Sequence, residues 1–325
     1  MKNTIEDIRQ PICQELQQFN EALREICKTD NQLLSEVLSY TFAKQGKQLR
    51  PIIVLLCAKL IREVNNKTIG TAVALELLHT ASLVHDDVVD NSPLRRGQES
   101  IQAHWNNKVA VLTGDYLLSK VISIISSLRN TQILNIVAEL GMSLSSGELL
   151  QLHSKGDMWI SEQEYYRMIE QKTATLFAAC AEAGAVSAGA TEKQTKAIKA
   201  FGKYLGMCFQ LKDDAFDYSD LEDIGKRTMS DIRDGKATLP LLISLQRAPE
   251  MEAQYIRDLA QNSNLSDAAE QEIKSFVLRY DGLRYTYHRM EYYKQKAFEA
   301  ISIFHDSRTL DALKKTLDYT ISRMY

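Results

Sequence analysis

Two short clusters of carboxylates hold the residues best equipped for chemistry in this chain. The stretch Glu76 to Gly97, ELLHTASLVHDDVVDNSPLRRG, carries Asp86, Asp87 and Asp90, and Lys203 to Tyr218, KYLGMCFQLKDDAFDY, carries Asp213, Asp214 and Asp217. At about 3.6 residues per helical turn, His79, Asp86 and Asp90 share a narrow angular sector, and Asp213 and Asp217 lie one turn apart, with Phe209 one turn before them. A helix that closes on three carboxylates works against its own dipole, whose C-terminal end favours cations. Two carboxylates about 4 Å apart repel by about 4 kcal/mol at an effective dielectric of about 20. A divalent cation is the natural counter-charge. One such cluster is what many solvated acidic faces produce; two, each closing an apolar helix and each followed by basic residues, point to metal. Mg²⁺ takes oxygen ligands, keeps several waters and binds through one or two carboxylates plus substrate phosphates. Two facing helices of this kind would therefore grip a diphosphate through Mg²⁺.

The basic residues divide into two groups around that expectation. Lys172, Lys226 and Arg95 would neutralise the metal-bound diphosphate. Lys47 and Arg50 precede an apolar helix that Pro51 helps to start, where backbone N–H groups and the dipole favour an anion. With His79 and Arg96 they would make a second, metal-free anion pocket. A polar segment, DIGKRTMSDIRDGKATLPLL at 223–242, adds Asp231, Asp234, Lys236 and Thr238 between turn-forming Gly225 and Gly235, and reads as a loop ordered by ligand. Two anionic substrates and a metal-bound leaving group imply that C–O ionisation comes first, with cations stabilising the departing diphosphate. Apolar helix walls would keep water from the carbon cation that remains.

The elements that must position these groups read as helices throughout. Residues 1–30 carry a helical stripe of Ile5, Ile8, Ile12, Leu16, Phe19, Leu23 and Ile26. Within Phe42–Val64 the run IIVLLCAKLI is apolar nearly all round, so that helix is expected to be buried, and Val109–Leu128, Ile133–Leu152 and the small-residue stretch after Lys172 also read as helices. Gly147 would permit close helix approach, and Glu148 is a polar insertion in an apolar face. The tyrosines of the last 75 residues are expected to pack against neighbours. No segment alternates with a period of two between turn signals, so no sheet is expected. The 325 residues are read as one all-α domain, 1–325, with 45% apolar and 25% charged residues. A net charge of −3 gives no footing for nucleic acid. Five cysteines without a CxxC pair read as free thiols in a reducing compartment. The N-terminus lacks a signal-peptide pattern and no uninterrupted apolar run has the length of a membrane span, so a cytosolic protein is expected.

The motifs KQGKQLRP, LVHDDVVDNSPLRRG, FQLKDDAFD and GKATLPLL, in this order from Phe42 to Leu242, resemble the trans-isoprenyl diphosphate synthase family, the polyprenyl synthetases. The resemblance implies an antiparallel helix bundle around a deep central cavity, in a homodimer, and head-to-tail condensation of isopentenyl diphosphate with an allylic diphosphate. By motif, Asp86, Asp90, Asp213 and Asp217 would bind Mg²⁺, supported by Asp87 and Asp214. Lys47, Arg50, His79 and Arg96 would hold isopentenyl diphosphate. Arg95, Lys172, Thr173, Gln210, Lys226 and Lys236 would hold the allylic diphosphate, with Phe209 facing the reacting carbons and Lys172 and Lys226 assisting catalysis. The released diphosphate would accept the final proton, and release of an apolar product implies transient membrane association. Two positions depart from the family pattern: Lys212 stands where an apolar residue is usual, and Met229 and Ser230 replace the Gly-Asp common before Asp231.

Product length is written beside the first cluster. Short-chain members of the family usually place an aromatic floor where this chain has Ala81 and Ser82, so a product of six or more isoprene units is expected. The alternatives are a short-chain farnesyl or geranylgeranyl synthase and a non-catalytic subunit of a two-component synthase, which would have lost its metal carboxylates. A class I terpene cyclase would lack both the second DDxxD and the Lys47/Arg50 pocket.

Overall fold

Few glycines and prolines interrupt the apolar stripes, and the chain folds accordingly into helices. The structure, a computed structural model, describes residues 4–44, 46–153, 158–218, 229–261 and 265–322. They form two compact units, one from Met1–Gly141, Phe177–Gly202 and Ile301–Thr316, the other from Met142–Leu176, Lys203–Ala300 and Leu317–Tyr325. In chain order the helices begin with α1 (Ile5–Arg9), α2 (Cys13–Ile26), α3 (Gln32–Ala43), α4 (Leu49–Ile61), α5 (Asn66–Val89), α6 (Ile101–His104), α7 (Asn107–Ser127) and α8 (Thr131–His153). They continue with α9 (Glu162–Ile169), α10 (Thr175–Ser187), α11 (Glu192–Phe216), α12 (Ser230–Arg233), α13 (Leu239–Arg247), α14 (Glu250–Ala260), α15 (Asp267–Arg279), α16 (Gly282–Ile301) and α17 (Arg308–Ser322).

In the first unit the N-terminal stripe is one face but not one helix. Pro11 sits in a 3₁₀ turn, Gln10–Ile12, that separates α1 from α2, while Ile8, Ile12, Leu16, Phe19 and Leu23 are buried as the stripe requires. The apolar run of α4 is buried without a break from Ile52 to Ala58. Each such side chain contributes about 1.5–3 kcal/mol when fully removed from water, so α4 anchors the unit and fixes its own N-terminus, where Arg50 lies. Helix α5 starts on Asn65, whose side chain accepts from the N–H groups of Lys67 and Thr68. It ends at Val89, and two residues on Asn91 takes a left-handed conformation (φ 49°) that terminates the helix.

A small sheet appears where none was expected. Leu94–Arg95 (β1) and Gln98–Glu99 (β2) pair antiparallel around Arg96 (φ 52°) and Gly97 (φ 70°). Two successive residues at positive φ make the tight turn whose twist suits a two-residue hairpin. The ladder is too short for a period-two signal, which is why no sheet was expected. Tyr40 Oη donates to the Glu99 carbonyl (2.8 Å), Lys44 Nζ to Gly97 O (3.1 Å) and Arg96 to Lys44 O (3.2 Å), tying the hairpin to the end of α3.

Two helices are longer and more apolar than the search for uninterrupted runs implied. α7 and α8 have the length and composition to cross a membrane, with mean hydropathies of 1.5 and 1.2 over their most apolar windows, because scattered Ser, Thr and Gly scarcely lower the average. Only a third or less of each window is buried, and Leu112 and Ile122 on α7 are each 67% exposed. In the second unit, α13 runs buried from Leu239 to Leu245 behind Pro240. The tyrosines there pack as expected: the Arg289 guanidinium lies among the rings of Tyr166, Tyr292 and Tyr293, and Tyr285 donates to Glu162 (2.6 Å). All five cysteines are free thiols, three of them buried.

Candidate functional site

In the first unit, the end of α5, the hairpin and the start of α4 bring together basic and acidic groups. Arg95 bonds the Asp87 carboxylate through Nη2 and through Nε (2.9 Å). Asp87 is buried, which pushes its carboxyl above the usual range while Arg95 opposes the shift. The backbone carbonyl of Asp87 accepts from Gln102 (2.6 Å) and from the Ser92 N–H (2.9 Å). The dipole problem of this helix end is thus met partly by the chain's own arginine. Asp86 and Asp90 are half-buried on the same turn.

One turn and more before them, His79 is buried and its imidazole is held neutral, first by burial and then by the positive charges of Arg50, Arg96 and Arg95. Glu76 faces Arg50 and Arg96 as well; burial raises its carboxyl and those two charges lower it. A small cleft opens here, lined among others by Glu76, Thr80, Asp87, Arg95, Arg96 and Lys44. Arg50, His79 and Arg96 of the predicted group are therefore one neighbourhood, while Lys47, three residues before Arg50, is exposed. Both hairpin arginines line this cleft, although Arg95 was expected with the other substrate. Thr80 and Glu76, missed by sequence reasoning, lie about two and about three turns before Asp87 on α5 and could have been read from that spacing. Ala81 is fully buried, and Ser82 is half-buried with its hydroxyl donating to His79 O (2.9 Å).

In the second unit, Lys172 and Thr173 do not sit on an ordinary helix. Residues Glu170–Ala174 form a π-helical turn between α9 and α10, the Thr175 N–H and hydroxyl both bonding the Glu170 carbonyl. Such wide turns recur at functional sites because they re-aim side chains. Neighbouring helices leave room for it at glycines: a Cβ on Gly147 of α8 would lie 3.0 Å from the Lys172 nitrogen, and one on Gly206 of α11 2.5 Å from Ala174 Cα. The expected close approach at Gly147 is thus approach to this turn. Lys172 Nζ meets Glu148 (2.5 Å) and Gln151 (2.9 Å), and Thr173 Oγ1 donates to Gln210 Oε1 (2.7 Å).

Gln210 passes the chain on to Asp214 (2.8 Å), whose other oxygen accepts a short hydrogen bond from Tyr165 Oη. Burial and the charge of Asp231 push the Asp214 carboxyl up to about 8. Asp217 is also raised, by burial and by Asp231, although it accepts from the N–H groups of Ser230 (2.9 Å) and Asp231 (3.1 Å). Its Oδ1 also accepts from the Ser230 hydroxyl (3.1 Å), so Asp217 pins the start of α12 and keeps a further lone pair on Oδ2. A pocket of about 170 Å³ is lined by Gln151, Lys172, Thr173, Gln210, Asp214, Asp231, Lys236 and Thr238, among others. Phe209 and Asp213 are half-buried on α11 and are not among its lining residues. Lys226 lies outside the described residues.

Tyr165 and Gln151 were missed. Tyr165 falls seven residues before Lys172 in an apolar stripe, where nothing separates a bonded hydroxyl from core packing. The two departures from the family pattern have local accounts. Lys212 holds its ammonium over the Tyr287 ring (5.8 Å). Met229 occupies the left-handed region (φ 60°) that favours glycine, held there by full burial and by its N–H bond to Asp217 O (3.0 Å).

These donors fit a hard divalent cation. They are oxygen atoms only, and the repulsion among Asp214, Asp217 and Asp231 is what a cation would relieve. Among the described residues no group of three or more His, Cys, Asp or Glu is placed to hold a metal ion by itself, so substrate oxygens would have to supply part of the shell.

Comparison with known proteins points to one family. The family model "Polyprenyl synthetase" matches residues 31–277. An octaprenyl diphosphate synthase of Haemophilus influenzae is 34% identical over 323 residues, covering 99% of this chain and 98% of that protein. The solved polyprenyl synthase of Caulobacter crescentus, complexed with calcium and isoprenyl diphosphate, is 32% identical with a TM-score of 0.92, covering 99% of both chains. A geranylgeranyl pyrophosphate synthase of Bacteroides thetaiotaomicron is 38% identical with a TM-score of 0.84, covering 98% of this chain and 99% of that one.

Proposed function

Since the chain belongs to the polyprenyl synthetase family and is a prenyltransferase, we propose that it condenses isopentenyl diphosphate with an allylic diphosphate, depends on Mg²⁺, and extends its product to six or more isoprene units. The observation that carries this reading is the second unit's pocket, where Lys172, Thr173, Gln210 and Lys236 stand with Asp214 and Asp231 around one cavity. Cations beside carboxylates that repel one another suit a metal-bound diphosphate and little else.

Asp86, Asp90, Asp213 and Asp217 would hold Mg²⁺, which when bound stabilises charge on the departing diphosphate. The chain's own residues do the rest. Lys172, braced by Glu148 and Gln151, and Lys236 bind the allylic diphosphate and balance its growing charge. Thr173, oriented through Gln210, adds a hydroxyl. Arg50, Arg96, Lys47 and neutral His79 hold the isopentenyl diphosphate, His79 contributing a hydrogen bond without adding charge. The small side chains of Ala81 and Ser82 support a long product, since neither puts an aromatic floor at this level of α5. The released diphosphate accepts the final proton.

The family match runs through both compact units, which supports a single functional domain. Exposed Leu112 and Ile122 on α7 support a second copy of the chain as partner, since a soluble monomer rarely leaves such a face wet. A short-chain reading has its own support in the likeness to a geranylgeranyl pyrophosphate synthase. Incubating the purified chain with isopentenyl and farnesyl diphosphates, with Mg²⁺ or with chelator, and sizing the dephosphorylated products separates the two. Products stopping at four isoprene units would overturn the long-chain reading, and undiminished turnover in chelator would overturn the metal.

A further inference from the structure

The sequence His85-Asp86-Asp87-Val88-Val89-Asp90 places a histidine directly before the first acidic pair, and the site as described gives it nothing to do. Its imidazole turns away from the cleft and onto α7. Nε2 lies 3.2 Å from the Val111 carbonyl and 3.7 Å from Asp115 Oδ1. A carbonyl can only accept, so Nε2 carries the proton and donates. The ring reaches that carbonyl by lying over Gly114: a Cβ built there would fall 2.1 Å from His85 Nε2 and 2.5 Å from Cδ2. No side chain larger than hydrogen fits beneath this imidazole. Gly114 is buried in the middle of a long helix, where glycine costs about 1 kcal/mol relative to alanine.

Helix geometry shows what the contact could control. Taking His85 as zero and about 100° per residue, Asp86 points near 100°, Asp90 near 140° and Asp87 near 200°. Asp86 and Asp90 thus lie between two anchored neighbours. On one flank Asp87 is held by Arg95, and on the other His85 is held in the Gly114 notch. We infer that His85 is a positioning residue whose seat on Gly114 fixes the rotation of the last turn of α5, and with it the aim of Asp86 and Asp90 as metal-binding carboxylates. The inference rests on the proposed metal role of those two aspartates, and on no titration of the imidazole.

The test compares His85→Ala, Gly114→Ala, the double variant and His85→Gln, with Asp86→Asn as control. The reading is Mn²⁺ binding to the full chain by electron paramagnetic resonance, with methylenediphosphonate as an unreactive diphosphate, beside the Mg²⁺ half-saturation of turnover and the melting temperature. Gly114→Ala pushes out the end of a side chain rather than a backbone, so the fold has a way to adapt. Loss of either half of the contact should weaken Mn²⁺ binding by about 10- to 100-fold, the range typical of groups that orient metal ligands. The double variant should be no worse than His85→Ala, and His85→Gln, which keeps an N–H at a similar reach, should recover most of the affinity. A merely structural contact would lower the melting temperature and leave the Mn²⁺ affinity in place, which would overturn the inference, as would additive losses in the double variant. If Asp86→Asn abolishes Mn²⁺ binding while His85→Ala does not change it, the metal reading survives and the positioning role falls. Undiminished binding in Asp86→Asn would overturn both.

Discussion

The two DDxxD helix ends share one spelling and live in different surroundings. On α5, Asp86 and Asp90 are half-buried, and the one buried carboxylate, Asp87, is met by the positive charge of Arg95. On α11, Asp214 and Asp217 are both buried and are met by neutral donors: a tyrosine hydroxyl, a glutamine amide and the backbone N–H groups that begin α12. Burial raises all three carboxyls, but at Asp87 the charge of Arg95 opposes the rise, whereas at Asp214 and Asp217 the charge of Asp231 adds to it. An identical motif therefore specifies where oxygen atoms stand, and the residues around it decide how strongly they call for a cation.

If both ends bind metal despite this difference, removing the first carboxylate of either should be equally severe. Asp86→Ala and Asp213→Ala should each lower turnover at saturating Mg²⁺ on the order of a hundredfold or more. Near wild-type turnover in either variant would break the parallel and leave one helix end with a structural role. A smaller effect separates the two pockets by substrate. Arg50, at the start of α4 in the first unit and near His79, should serve isopentenyl diphosphate. Arg50→Ala should weaken that substrate by about 10- to 100-fold, the worth of one charge-assisted bond, and scarcely affect farnesyl diphosphate in a calorimetric titration. Equal losses for both ligands would mean a single shared anion site.

Much of this was legible because helices announce themselves through period and apolar runs. The two acidic clusters, the burial of α4 and the grouping of Arg50, His79 and Arg96 all follow from spacing and local chemistry. What escaped depends on partners distant in sequence or on backbone detail that leaves no periodic trace. Tyr165 meets Asp214 across 49 positions, and a buried tyrosine reads the same whether or not its hydroxyl has a carboxylate to bond. The π-turn at Lys172 inserts one residue's worth of rotation without any breaker residue. Met229 takes a left-handed conformation where the pattern would call for glycine. The β1–β2 hairpin is two residues per strand, below the reach of any alternation signal.

The contrast between charged and neutral partners also predicts a pH effect. Asp214 titrates at about 8 when folded and near the ordinary 3.8 when unfolded. Between those values the folded chain holds a proton that the unfolded chain has released, so the metal-free protein loses stability as pH rises and gains it as pH falls, with little further change above about 8. Asp217 acts in the same direction up to about 6. The metal-free melting temperature should thus be higher at pH 6 than at pH 8, a difference of a few degrees. Asp214→Asn should lose most of that dependence, and Mg²⁺ with methylenediphosphonate should flatten it in the wild type. A dependence that survives intact in Asp214→Asn would place its origin elsewhere.

The smallest expected change in rate, and the sharpest in product, comes from the residue one turn before each cluster. On α11 that residue is Phe209; on α5 it is Ser82, small and half-buried, with its hydroxyl on the His79 carbonyl. One turn is about 5.4 Å along the axis, so a chain growing away from the metal end of α5 along this face passes Ser82 within its first added unit. Ser82→Phe makes α5 resemble α11 at this position. It removes one local hydroxyl bond, which competes with water and contributes about 1 kcal/mol at most, and adds a ring that touches neither carboxylate nor cation. The first condensation should proceed nearly as before, while the principal product shortens to three or four isoprene units, read by chromatography after dephosphorylation. A folded, active Ser82→Phe variant that still makes the wild-type product would show that the growing chain does not follow this face of α5. Product length would then have to be set by side chains other than Ala81 and Ser82.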